Sequence, residues 1–364
     1  MRSNLLFLIL YLLPASVFSQ QTDYYITGKI IDAVTKAPLP GASVFAQNTT
    51  IGTAADAEGN FKLSLPAGGY DLIITCIGYQ PEIRRISASE NNSKNIVVEL
   101  MQKDKSLKDV VISNELADGW EKYGAFFLEN FIGKTFNSNS CSIANKQVLK
   151  FYFSTKKNTL KVLADTPLII VNKALGYKIK YTLVSFSYDY DKLITLYKGY
   201  PLYEELQPED TLEKINWEAA RLKAYNGSMI HFMRSLYQKQ VKENGFEIKY
   251  LKKRFSEKET LVPILNYYQA LGYEIDDSTQ DVLVLPEENE LVVIYNKDVP
   301  EQTYVKADPT ASVKYQLSVL TFKPAQVIGV EVNGYYFEQT GITKSGYMAW
   351  MRMANTLPYD FKIK

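Results

Sequence analysis

The chain has 364 residues, of which 46% are hydrophobic, 22% charged and 13% aromatic, a composition that builds buried cores and excludes wholesale disorder. Lysine and arginine number 41 against 40 aspartates and glutamates, a balance that argues against a nucleic-acid-coating protein or a basic membrane binder. One histidine and two cysteines leave too few ligands and nucleophiles for most metal and thiol chemistry.

The first residues read as a secretory leader. Arg2 precedes an unbroken apolar run from Leu5 to Leu13, followed by Pro14 and small residues. This predicts a signal peptide over 1–19, cut between Ser19 and Gln20. The run is shorter than the about 20 apolar residues a membrane span requires, and no cysteine lies near the cut to carry a lipid. The mature chain is expected to be exported and without a transmembrane span. Export permits a disulfide, but Cys76 lies in the apolar stretch Leu72–Ile77, where a free buried thiol is the usual state.

From Tyr24 to Leu100 the pattern is all strand. YYITGKIID, ASVFAQ, FKLSLP, YDLIITCIGY, EIRRIS and NIVVEL are separated by Gly, Pro and Asp turns, which predicts a small antiparallel sandwich over 22–101. Asp56 and Gly59 close one tight turn through side-chain hydrogen bonding and a positive φ. A polar, lysine-rich linker is expected over 102–115, and an α+β domain over 116–364.

Within that domain, Trp120, Tyr123, Phe127, Leu128 and Phe131 recur at helical spacing after Asp118 and stop at Gly133. QVLKFYFS and TLKVLA predict a hairpin across KKN, and DVLVL and ELVVIY another across PEEN. A helical segment from Leu212 to Glu243 is expected to break at Asn226–Gly227. Lys180–Tyr200 and Lys314–Tyr335 share their ends and their alternation, each ahead of a Trp-bearing helical pattern. Two ordinary hairpins explain that echo more simply than a duplicated unit.

The N-terminal motifs carry a resemblance. Gly28 to Asp32, the turn Pro38 to Ala42 with Pro40 and Gly41, Gly52–Thr53, Asp56 with Gly59 and Phe61, and Ile77 to Tyr79 with Gly78 together resemble the carboxypeptidase-like regulatory domain of Gram-negative envelope proteins. That resemblance implies a transthyretin-like, Ig-like sandwich. Similar domains precede the plug and barrel of starch-utilisation-type TonB-dependent receptors, where a stretch similar to LKDVVIS (Leu107–Ser113) often follows. A receptor barrel needs many more roughly 10-residue strands than the about 250 residues left here provide. The C-terminal part resembles an uncharacterised partner domain through FIGKTFNSNSCSIANK, NKALGYKIKY and AYNGSMIHFMRSL.

The chemistry of catalysis finds few candidates. Zinc carboxypeptidases hold their metal with two histidines and a glutamate, and His231 alone cannot supply that set. Ser228 and Ser235 flank His231 but lack the strained elbow and orienting acid that activate a serine. Arg221, His231 and Arg234 form a polar cluster that would collect an anion only if the helix breaks at Gly227, because a straight helix sets the two arginines about 220° apart. Asp189 and Asp191 share a strand face, as a solvated hairpin tip also would. No cofactor and no nucleic-acid partner are expected.

The leading expectation is a non-catalytic envelope protein, at the periplasm or outer membrane, whose sandwich presents or docks the C-terminal domain to an outer-membrane or periplasmic protein. The alternative is a secreted hydrolase of carbohydrate or peptide that works through carboxylates of the C-terminal domain. A cleft with facing carboxylates would favour the second reading.

Overall fold

A computed structural model describes residues 23–66, 68–86, 95–103, 115–253 and 259–363. The leader with Ser19 and Gln20, and most of the 102–115 linker, lie outside the described residues.

Seven strands form the N-terminal unit: β1 (Tyr24–Asp32), β2 (Ser43–Ala46), β3 (Gly52–Ala54), β4 (Asn60–Leu65), β5 (Tyr70–Thr75), β6 (Glu82–Ile86) and β7 (Ile96–Leu100). They pair as β4-β1-β7 and β3-β2-β5-β6, two sheets face to face. Alternation in sequence becomes a dry interior: Ile26, Ile30, Leu63, Leu65, Leu72, Ile74 and Val98 are all buried between them. β7 runs parallel to β1, so the chain crosses over before leaving for the linker.

The next elements are α1 (Gly119–Phe131), β8 (Cys141–Ile143), β9 (Leu149–Ser154), β10 (Thr159–Ala164), β11 (Leu168–Asn172), β12 (Tyr177–Asp189) and β13 (Ile194–Glu205). The expected β9–β10 hairpin is present. The long β12 holds the sheet together, pairing with β11 and β10 along its length and with β13 throughout. α1 lies on this sheet as its spacing predicts. Phe127 and Phe131 are fully buried, edge-on to Phe186 and Tyr181 at 4.9 and 5.0 Å between ring centroids. Gly133, at φ 114°, ends the helix by donating its N–H to the Leu128 carbonyl.

α2 (Thr211–Tyr225) and α3 (Met229–Tyr237) follow, separated at the expected break. Gly227 sits at φ 75°, and a Cβ there would lie 2.1 Å from Gln316 Oε1, so a close approach as well as a left-handed backbone calls for glycine. The rest comprises β14 (Phe246–Lys253), β15 (Glu259–Pro263), α4 (Tyr267–Ala270), β16 (Glu274–Ile275), β17 (Val282–Val284), β18 (Glu290–Tyr295), α5 (Gln302–Ala307), β19 (Gln316–Phe322), β20 (Ile328–Val330), β21 (Tyr336–Phe337), β22 (Ile342–Gly346) and α6 (Tyr347–Trp350). One sheet has the order β15-β14-β18-β19-β22 and a smaller one β16-β17-β20-β21.

Two expected hairpins therefore do not form. β17 and β18 enter different sheets, as do β19 and β20, so the Lys314–Tyr335 stretch does not repeat the β12–β13 hairpin. Strands and helices mix in this region, but strands dominate, and the α+β expectation holds only in that coarse sense. Residues 116–364 also contain two hydrophobic cores. One gathers around α1 and β12 and takes in Met353, Ala354 and Leu357; the other lies between α3 and the β14–β22 sheets.

The sandwich is joined to both. Phe45 and Ile73 on its outer face bury Tyr200 of β13 in a small separate core. Asn48 N donates to the Pro201 carbonyl at 2.9 Å and Tyr203 N to the Thr49 carbonyl at 2.9 Å, so the turn after β2 extends the β13 edge. Tyr359 N donates to the Asn48 carbonyl at 2.7 Å, and the Asp360 carboxylate accepts from both the backbone N–H and the hydroxyl of Thr50.

Candidate functional site

The motif residues of the sandwich build structure around one carboxylate. Asp32 Oδ1 accepts from the N–H groups of Val34 and Thr35 at 2.8 Å each. Its Oδ2 accepts from the Tyr79 hydroxyl at 2.8 Å and from Gln102 Nε2 at 3.0 Å. The Thr35 N–H, with Tyr79, Gln102 and Val34, holds this carboxyl far below the usual range. Asp56 Oδ1 accepts from Glu58 N and Asn60 N at 3.0 and 2.7 Å. Gly59 follows at φ 80°, where a Cβ would stand 2.5 Å from the Ile30 carbonyl oxygen. Gly41 and Gly78 take turn conformations at φ 70° and 86° after Pro40 and before Tyr79. Gly28 lies in β1 and Gly52 opens β3, while Phe61 is buried in the core.

Arg221, His231 and Arg234 do not converge on one anion; each has its own partners. Arg221 is buried on the Tyr177 ring, 4.0 Å from its centroid, and donates to the Leu175 and Gly176 carbonyls and to Glu205 Oε1. Arg234 donates to the carbonyls of Asn333, Tyr359 and Phe361 at 2.9, 3.0 and 2.9 Å. His231 accepts the Gly227 N–H at Nδ1, 3.2 Å away, and packs among Tyr225, Phe246 and Tyr295. Burial, with the charges of Lys297 and Arg234, lowers its pKa to about 4, so it is neutral at physiological pH. Ser228 and Ser235 give their hydroxyl protons to the carbonyls of Tyr225 and His231, not to the imidazole. Asp189 and Asp191 build the β12–β13 turn, accepting from backbone N–H groups and from Asn158. Cys76 and Cys141 are free thiols. Among the described residues no group of three or more His, Cys, Asp and Glu side chains is placed to hold a metal ion.

A concave feature lies beside α2. A cavity of about 470 Å3 opens between α2, the Pro358–Ile363 segment and Thr50 of the sandwich. Ile215, Leu222 and Phe361 supply apolar lining, and Glu205, Glu218 and Asp360 bring carboxylates. Arg234 positions one wall through the carbonyls it holds, and Arg221 positions Glu205.

Sequence reasoning missed a second junction. Glu331, 4% exposed, pairs with Arg85 of β6 and accepts the Gly69 N–H at 2.8 Å. The Arg85 guanidinium lies 4.8 Å from the centroids of both Tyr335 and Phe337, and the Tyr335 hydroxyl donates to Asp71 Oδ2 at 2.6 Å. Burial pushes Glu331 up to about 7, against the pull of Arg85 and helped by a hydrogen bond with the Asp281 carboxyl. The available signal was a lone acid inside the apolar run QVIGVEV.

Comparison with known proteins bears on the sandwich. The CarboxypepD_reg-like domain family matches residues 26–112. The TonB-dependent receptor SusC of Bacteroides thetaiotaomicron is 36% identical over 93 residues, which are 25% of this chain and 9% of the receptor. This chain thus matches less than a tenth of that receptor's length. Among solved structures, a 9R-lipoxygenase from Cyanothece PCC8801 aligns over 58% of this chain and 48% of its own at 10% identity and a TM-score of 0.18, which carries no argument about fold. No helix among the described residues is long and apolar enough to cross a membrane.

Proposed function

We propose that this chain, whose N-terminal sandwich is a carboxypeptidase-regulatory-like domain, is a non-catalytic exported envelope protein that docks to an outer-membrane or periplasmic protein. The observation that carries this reading is the way the sandwich is built in. Its outer face is buried on Tyr200, its turn extends the β13 edge, and Arg85 is paired with Glu331. A tethered module would leave those surfaces wet. A joined one holds the sandwich and C-terminal region in a fixed relation and presents a composite surface, which supports a docking role.

The hydrolase reading has its best location in the cavity beside α2, but the carboxylates there are engaged. Glu205 is bonded to Arg221, and Asp360 accepts two hydrogen bonds from Thr50. A general acid needs a carboxyl that keeps its proton near neutral pH, and Glu331, the carboxyl raised to about 7 among the described residues, does not line that cavity.

The test is affinity purification of the full chain from detergent-solubilised envelopes after cross-linking, with identification of what co-elutes. A stoichiometric envelope protein is expected. Recovery of the chain alone, together with measurable hydrolysis of a polysaccharide or peptide panel, would replace this reading with the enzymatic one.

A further inference from the structure

We propose that a second cavity, walled by the start of α3, by β22 and α6 and by Asn48 of the sandwich, is a binding site for a small aliphatic carboxylate. This site stands apart from the docking reading above and would serve a chain with or without a protein partner.

Three features of the wall are electropositive, and none of the described residues lining it is an aspartate or glutamate. The first is Lys344. It pairs across the ladder with Leu320, which is fully buried, so the lysine stands on the inner face of the edge strand β22. No described carboxylate pairs with it. The residue is solvent-accessible, yet enough protein surrounds its ammonium to lower its pKa from the ordinary value, a cost that a bound anion would offset. The second is the start of α3. Ser228, Met229 and Ile230 line the cavity, and the N-terminal N–H groups of a helix have no acceptor within it and attract negative charge. Ser228 Oγ caps the His231 N–H at 3.3 Å, which leaves those of Met229 and Ile230 without a side-chain cap. The third is Tyr336, 9% exposed, whose hydroxyl has no hydrogen-bond partner among the described residues. Burial pushes its pKa up to about 12, so it remains a neutral donor.

Size and lining narrow the anion. The cavity holds about 120 Å3, somewhat less than the about 150 Å3 that accepts the six heavy atoms of benzene. The rest of the wall includes Met229, Met348, Met351 and Leu357, which would leave the outer oxygens of a phosphate or sulfate without donors. A single negative charge on a short alkyl tail matches one lysine beside thioethers and aliphatic groups.

The experiment titrates the full chain with sodium butanoate by isothermal calorimetry, and with butan-1-amine, butan-1-ol and inorganic phosphate at the same ionic strength. One-to-one butanoate binding with a Kd of about 1 mM or tighter is expected, with each of the other three weaker by roughly tenfold or more. Lys344→Met, which keeps the length of the stem, should weaken butanoate by about tenfold, and Tyr336→Phe by a smaller factor. Lys344→Gln provides the same test should the methionine variant melt early. Butanoate should also raise the melting temperature of the parent and not of the Lys344 variants. No saturable butanoate binding, equal binding of the amine or the alcohol, or butanoate affinity unchanged in both Lys344 variants would overturn the site. Phosphate binding as tightly as butanoate would overturn its assignment to a carboxylate.

Discussion

Glu331→Gln is expected to change the pH dependence of stability more than the stability at any single pH. Glu331 is almost fully buried at the junction, with its folded-state pKa raised from 4.5 to about 7. Because the folded value exceeds the unfolded one, the folded chain keeps a proton that the unfolded chain has released. The stabilisation is complete below about 4.5 and is lost as pH rises through about 7. Two and a half pK units at 1.36 kcal/mol each give about 3 kcal/mol across that window. Glutamine keeps an acceptor for the Gly69 N–H and never ionises, so it removes this slope. The difference in unfolding free energy between variant and parent should therefore move by roughly 2–3 kcal/mol in the variant's favour from pH 5 to pH 8. Thermal or urea melts of both proteins at the two pH values measure it; titrating groups remote from Glu331 cancel in the comparison, and an Asp281→Asn background removes the carboxyl that shares its hydrogen bond. Parallel pH profiles, or a parent that grows more stable relative to the variant toward pH 8, would refute the argument that burial of this carboxyl dominates its partner Arg85.

His231 has the opposite sign: its folded pKa of about 4 lies below the unfolded 6.5, so its contribution is lost as pH falls from about 6.5 to 4, and His231→Gln should flatten that acid limb in the same melts. His231→Ala should cost about 2 kcal/mol through the cavity among three rings and the lost acceptor for Gly227, read by urea titration. Gly59→Val is expected to cost on the order of 1–3 kcal/mol, since valine must take φ 80° and its Cβ would meet the Ile30 carbonyl; an unchanged melt would show that the turn relaxes. A fragment of residues 22–103 should unfold cooperatively, because its core is self-contained, but at a lower temperature than the full chain, since Phe45 and Ile73 lose their cover; circular dichroism during a melt decides it.

What was legible in the sequence was local. The strands of the sandwich announce themselves by alternation and glycine turns, α1 by the spacing of Phe127 and Phe131, and the α2–α3 break by Gly227, because each depends on residues a few positions apart. Pairing partners were not legible. DVLVL and ELVVIY have the alternation and spacing of a hairpin, yet β17 joins β20 and β18 joins β14 and β19. The choice is made by which sheet can bury both faces, a property of segments far away in the chain. The arginines show the same limit. Arg221 and Arg234 stand out as charges near a histidine, but apart from Glu205 the acceptors they bond are carbonyls at residues 175, 176, 333, 359 and 361, and a carbonyl is a partner every residue can offer.

The clasp between the turn after β2 and the Pro358–Ile363 segment sets an order of events. Thr50 waits for Asp360, a partner 310 residues downstream, and Asn48 waits for both Pro201 and Tyr359. Synthesis from the N-terminus delivers the sandwich early and its last fastening late. Contacts of such sequence separation form slowly. Until β13 brings Tyr200, Phe45 and Ile73 face solvent on a finished sheet, open to association with other unfinished chains. The interval before the last segment docks is thus where the fold is most open to association, and a change near Tyr359 would be felt first as low yield.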